Sequence, residues 1–181
     1  MKVTRFDIDG PLEIQPKVFG DTRGFFMESW SRRAMAEIGL DLDFVQDNHS
    51  RSAKGVLRGL HFQDPMAQGK LVRVANGRAW DVAVDIRRSS PTYGQWAAVE
   101  LSVEKNNLFW VPPGFAHGFL SLEDGTDFLY KCTEYYAPEH EHAIRWDDPD
   151  LDIAWPLEGI DPQISGKDAA AKSFRDTEGF A

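Results

Sequence analysis

Two histidines, two arginines and two lysines fall within the 24 residues from Asp47 to Lys70, DNHSRSAKGVLRGLHFQDPMAQGK. Imidazoles can take up and return protons near neutral pH, and guanidinium or ammonium groups can hold an anion or a developing negative charge. Gly55-Val-Leu-Arg-Gly-Leu-His61-Phe reads as a strand with roughly alternating apolar and polar positions. That pattern aims Arg58 and His61 at whatever the sheet encloses. Charged groups facing a sheet interior are costly without polar company, and the simplest company is a ligand. Positions 58 and 61 are an odd number apart, so strict alternation would put them on opposite faces. Gly59 between them can mark a bulge that resets the facing, but the spacing alone does not secure a shared face.

Other candidates lie further along. His117 follows Pro112-Pro113-Gly114-Phe115-Ala116, a rigid turn that would hold it at a strand entrance. In Phe128-Leu-Tyr-Lys-Cys132, alternation puts Phe128, Tyr130 and Cys132 on one face, where Tyr130 could equally be a core tyrosine with a satisfied hydroxyl. Ser165-x-x-Asp168 fits a capping box, so Asp168 has a purely helical explanation. A metal-binding barrel would show two histidines separated by one residue and then a carboxylate, yet Gln63 stands where the second histidine after His61 would be. His140 and His142 have that spacing inside Pro138-Glu-His-Glu-His142, which reads as an exposed acidic loop. No bound metal is expected.

The elements that must position these groups are mostly strands. Short β-rich segments appear at 24–27, 43–46, 56–62, 71–75, 79–86, 96–101, 107–111, 118–122, 127–133 and 143–145, separated by turn signals such as Asn76-Gly77 and Pro112-Pro113-Gly114. Many short strands at close spacing predict an all-β antiparallel sandwich or barrel. Helical signals are few: Ser31 can cap a helix over 32–38 that stops at Gly39, and Ser165 can open another running through 169–172. With no internal repeat or low-complexity linker, residues 1–181 are expected to form one domain.

Composition bounds the function. The chain has 181 residues, 42% of them hydrophobic, and six Trp, which suits a globular core. No apolar run is long enough to span a bilayer, and the N-terminus lacks an apolar signal core, so a cytoplasmic protein with no membrane partner is expected. The single Cys132 excludes an internal disulfide framework and fits a reducing compartment. A net charge of -9 argues against nucleic acid as a partner. It leaves room for a small anion such as a nucleotide diphosphate, for which Arg23, Arg58, Lys70 and Lys167 are candidate cations.

The chain resembles the dTDP-4-dehydrorhamnose 3,5-epimerase family. The resemblance rests on DTRGFFME from Asp21, FVQDNHS from Phe44, GVLRGLHFQ from Gly55, QGKLVRV from Gln68, DVAVDIR from Asp81, VPPGFAHGF from Val111 and SGKD from Ser165. It implies a jelly-roll (cupin-type) barrel acting as a homodimer without metal or cofactor on a dTDP-linked 4-keto-6-deoxy sugar, as one step of dTDP-rhamnose biosynthesis. It further implies that His61 is the base, Asp168 its orienting partner, Tyr130 the acid on the opposite face and Lys70 the cation at the enolate oxygen. Arg23, Glu28, Gln46, Asp47, Asn48, Arg58, His117, Glu141 and Lys167 are implied ligand contacts, with Tyr136 stacked on the thymine. Two alternatives stay open: an epimerase of C3 or C5 alone, and a non-catalytic sugar-binding jelly roll.

Overall fold

Along the middle of this chain most successive strands cross from one sheet to the other, which is how a jelly roll closes without long free edges. The computed structural model describes residues 1–180. One sheet runs, in spatial order, β1 (Lys2–Arg5), β2 (Leu12–Gln15), β10 (Leu108–Val111), β7 (Lys70–Asn76), β12 (Thr126–Cys132) and β5 (Gln46–Ser52). The other runs β13 (Glu141–Ala143), β6 (Val56–Gln63), β11 (Phe115–Ser121), β8 (Arg78–Asp85) and β9 (Trp96–Ser102). All these pairings are antiparallel; only β14 (Gln163–Ile164) joins β6 in parallel. A two-stranded hairpin, β3 (Val18–Asp21) with β4 (Gly24–Met27), belongs to neither sheet.

Three apolar layers explain why many strands read as nearly continuous hydrophobic runs. Between the sheets lie Val72, Val74, Ala83, Val99, Phe109, Phe119 and Phe128. Phe119 of β11 and Phe128 of β12 stack with centroids 3.8 Å apart, pinning one sheet to the other. Behind the second sheet, Leu57, Leu60, Val82, Val84 and Leu120 are covered by the C-terminal segment through Leu151 and Trp155. Behind the first, Ile14, Leu71, Leu108 and Trp110 are covered by Met35 and Leu40. Met35 sits on α1 (Arg32–Ala36), which Ser31 caps by accepting from the Ala34 amide.

Several expected boundaries move. The strand expected at 43–46 begins at Gln46 and continues to Ser52, because the polar run QDNHSRS can pair along β12 with alternate side chains in solvent. The strand expected at 143–145 is instead Glu141–Ala143, so His142 lies on a strand beside β6 and not in a loop, while His140 ends a single 3-10 turn, Pro138–His140. Both helices stop early, at Ala36 and Ala169. Strands β1, β2 and β3 have no counterpart among the expected elements.

Candidate active site

The bulge in β6 decides the site. His61 of β6 faces His117 of β11 and Arg58 faces Phe119, so two residues of β11 oppose a longer stretch of β6. That slip restores Arg58 and His61 to one face, the face turned toward the first sheet. Gly59 makes it possible. Its φ is +123°, and a Cβ there would stand 2.5 Å from the Cα of Gly118, which no side chain survives.

His61 Nε2 lies 2.6 Å from Asp168 Oδ1. Asp168 sits on α2 (Gly166–Ala169), where the Ser165 hydroxyl caps its amide at 3.1 Å. The helical explanation is therefore half correct: Ser165 does cap the helix, but the Asp168 carboxylate points at His61. Burial pushes its carboxyl up, yet His61, the Ser165 hydroxyl and the Gly59 backbone together outweigh this and the net shift is downward, so Asp168 is held as a carboxylate. A carboxylate only accepts, so the proton sits on Nε2 and the lone pair on Nδ1.

Across the gap, β12 carries Phe128, Tyr130 and Cys132 on its inner face, as alternation predicts. Burial raises the Tyr130 phenol to about 12, so it stays protonated at any working pH. Lys70 of β7 pairs with Cys132 in the ladder. Burial lowers its ammonium pKa, partly opposed by Cys132, Glu141 and Asp81.

At the rim, Glu141 is a hub. Its Oε2 accepts from the Tyr136 hydroxyl at 2.6 Å and from the Lys167 ammonium. Burial raises its carboxyl, but those two donors win and the net shift is downward. Gln46 Oε1 accepts from the Tyr136 amide at 2.9 Å and its Nε2 donates to Asn48, which donates in turn to Cys132. Tyr136 itself is 51% exposed, a free aromatic face. Arg58 bonds only Ser52, at 3.4 Å, leaving most of its donors available.

Three expected residues are not gathered here. Asp47 alternates to the outer face of β5, where Lys131 donates to it at 2.7 Å. Arg23 is on the detached hairpin, paired with Asp21, and Glu28 beside it accepts from Ser31. Gln63 is a brace, bonding the carbonyls of Met66 and Tyr135 and the amide of Ala137. Among the described residues no three His, Cys, Asp or Glu side chains form a cluster able to hold a metal.

Sequence reasoning passed over Asp81. This fully buried carboxylate lies 2.6 Å from His117 Nε2 through Oδ1, and Oδ2 has no hydrogen-bond partner. The available signal was the alternation Ala79, Asp81, Ala83 in β8, which places a charge between two small apolar residues on its inward face.

A two-sheet barrel that sets a histidine–aspartate couple opposite a half-buried tyrosine, with cations nearby, is built as an acid–base enzyme of the jelly-roll class. The family model for dTDP-4-dehydrorhamnose 3,5-epimerase matches residues 5–176, and the chain belongs to that family. It is 54% identical over 181 residues to the dTDP-4-dehydrorhamnose 3,5-epimerase of Pseudomonas aeruginosa, covering 99% of both chains. Among solved structures, a Legionella pneumophila dTDP-6-deoxy-D-glucose-3,5-epimerase in complex with dTDP-4-keto-L-rhamnose superposes with a TM-score of 0.93 at 53% identity, over 97% of this chain and 93% of that one. A 3'-monoepimerase from Streptomyces bikiniensis in complex with dTDP-quinovose superposes with a TM-score of 0.88 at 35% identity, over 94% and 86%. The fold is thus a cupin-type jelly roll with few short helices, as expected.

Proposed function

We propose that the opening between the sheets binds dTDP-4-dehydro-6-deoxy-D-glucose and inverts C3 and C5 in turn, giving dTDP-4-dehydro-L-rhamnose for dTDP-rhamnose biosynthesis. The observation that carries this reading is the placement of His61 and Tyr130 on facing sheets. The C4 ketone acidifies the protons on both neighbouring carbons. His61 Nδ1 takes one, the C–H electrons pass onto the C4 oxygen as an enolate, and the Lys70 ammonium stabilises that charge. When the enolate collapses, the Tyr130 hydroxyl delivers a proton to the other face of the carbon. The resulting imidazolium and phenolate exchange protons with solvent before the next round. Asp168 favours each imidazolium as it forms. Arg58, Lys167, Gln46, Asn48 and His117 hold the nucleotide and sugar, and Tyr136 offers its exposed ring to the thymine.

The working unit is a homodimer. The hairpin β3–β4 stands off the barrel with Phe25 62% and Phe26 69% exposed, apolar surface that a lone chain leaves in water. A second copy covering that arm would bring its Arg23 and Glu28 toward a neighbouring opening. No described helix is long and apolar enough to cross a membrane. A lone, buried, unpaired Cys132 suits a reducing cytoplasm.

Incubation with dTDP-4-dehydro-6-deoxy-D-glucose in heavy water, followed by NMR of the product, tests the reading. Deuterium at both C3 and C5 of the L-configured product supports it. Deuterium at one centre alone would make the chain a single-centre epimerase, and none at either would leave a sugar-binding barrel.

A further inference from the structure

Two fully buried aspartates face the barrel interior from β8, and they differ in kind. Asp85 is saturated: it accepts from Ser90 at 2.6 Å, from Thr92 at 2.7 Å, and from the Arg87 guanidinium and amide. Asp81 has one side-chain bond, to His117, and an Oδ2 that is buried and unpartnered among the described residues. The first is what a structural carboxylate looks like. The second is a poor way to hold a barrel together, since replacing both members of a buried pair by apolar residues is often neutral, whereas removing one member leaves the other unpaired at a cost.

Its location suggests what it is for. His117 is the ladder partner of His61 on one side and Ala83 on the other. The two histidines therefore stand side by side on adjacent strands, each backed by a carboxylate on Nε2 at 2.6 Å. In both, that bond leaves Nδ1 as the nitrogen open to another group. The His117 ring is almost wholly buried, stacked beside Phe128 with centroids 6.2 Å apart, so its direction is set by Asp81 and the packed ring.

We infer that Asp81 is a positioning residue: through Nε2 it fixes the His117 ring so that Nδ1 meets the sugar in front of His61. The inference rests on the reading of this opening as the sugar-nucleotide site. Burial raises the Asp81 carboxyl, with His117 and Lys70 acting against it. The nucleotide is gripped at the rim by other residues. Losing the Asp81 bond therefore harms the orientation of the sugar more than the affinity for dTDP, and kcat suffers more than KM.

The test compares Asp81→Leu, which removes the acceptor, with Asp81→Asn, which keeps one. Nitrogen-15 NMR of the histidine side chains follows the hydrogen-bonded His117 Nε2 proton, titration with dTDP follows nucleotide affinity, and steady-state kinetics separate kcat from KM. The wild-type chain should show the protected Nε2 proton. Asp81→Leu should lose it, bind dTDP as before, melt lower because the buried His117 is left without its partner, and fall on the order of a hundredfold in kcat per folded molecule; Asp81→Asn should regain part of both the signal and the rate. Unchanged kcat per folded molecule in Asp81→Leu overturns the inference, as does a loss of dTDP affinity as large as the loss of kcat, which marks a structural role. If Asp81→Leu does not fold, Asp81→Asn decides: an altered His117 signal with wild-type kcat overturns it. A wild-type chain that converts no substrate sinks the epimerase reading instead, while the NMR and dTDP arms still report on Asp81.

Discussion

Lys70 and Tyr130 are both displaced by burial, in opposite senses and with different consequences for rate. Burial lowers the lysine below the ordinary 10.5 and raises the tyrosine to about 12. As pH rises the ammonium is therefore lost first, and with it the cation at the enolate oxygen. The alkaline limb of kcat should lie below pH 10.5 and belong to Lys70. Lys70→Arg, whose guanidinium does not titrate in this range, should lower kcat yet abolish that limb in a pH–rate profile. A limb unchanged in this variant would assign it elsewhere. At this scale the sequence shows residue types well but not their partners. His61, Tyr130 and Lys70 stand out by type and setting, whereas the Asp168 side chain crosses 107 positions to reach His61 and Asp81 looks like one polar residue in an apolar strand. Contacts that distant carry no periodic signature.

Strand β6 shows how an element converts a misleading spacing into a site. Arg58 and His61 share a face only because Gly59 takes φ +123° and packs against Gly118. Gly59→Ala should cost more than about 1 kcal/mol of stability and abolish turnover even in the folded fraction, since one face would lose Arg58 or His61. Turnover per folded molecule near wild type would show that the bulge is dispensable. The turn after β8 is held by Asp85. Burial raises its carboxyl, but Arg87, Ser90 and Thr92 bring it down to about 2 from 3.8. A folded value below the unfolded one means stabilisation that is complete above pH 3.8 and fades as pH falls toward 2, about 2 kcal/mol in all. The melting-temperature gap between wild type and Asp85→Asn should thus be full at pH 7 and close in that window; a gap independent of pH would contradict it. The β-rich class was legible from short alternating runs and turn dipeptides. Strands β1, β2 and β3 were not, because KVTR, LEIQ and VFGD are too short for a period to emerge, and β5 is too polar to read as a strand until β12 supplies its partner.

For the whole molecule, the detached hairpin is the feature a single chain does not explain. Phe19, Phe25 and Phe26 leave a row of aromatic surface in water. Replacing Phe25 and Phe26 with Ser should turn the proposed dimer into monomers in sedimentation analysis and lower kcat/KM, since in that proposal Arg23 and Glu28 act at the neighbouring opening. A dimer that persists with full activity would place the interface elsewhere.

The central claim is that a base and an acid work from facing sheets, and Tyr130→Phe in heavy water tests it most directly. The substitution keeps the ring and its packing but removes the one proton it can donate. Deuterium entering recovered substrate is measured against epimerised product over the same interval. With His61 still able to remove and return a proton on its own face, exchange should survive while net epimerisation collapses. Epimerisation at the wild-type rate would contradict the account, as would equal loss of exchange and epimerisation.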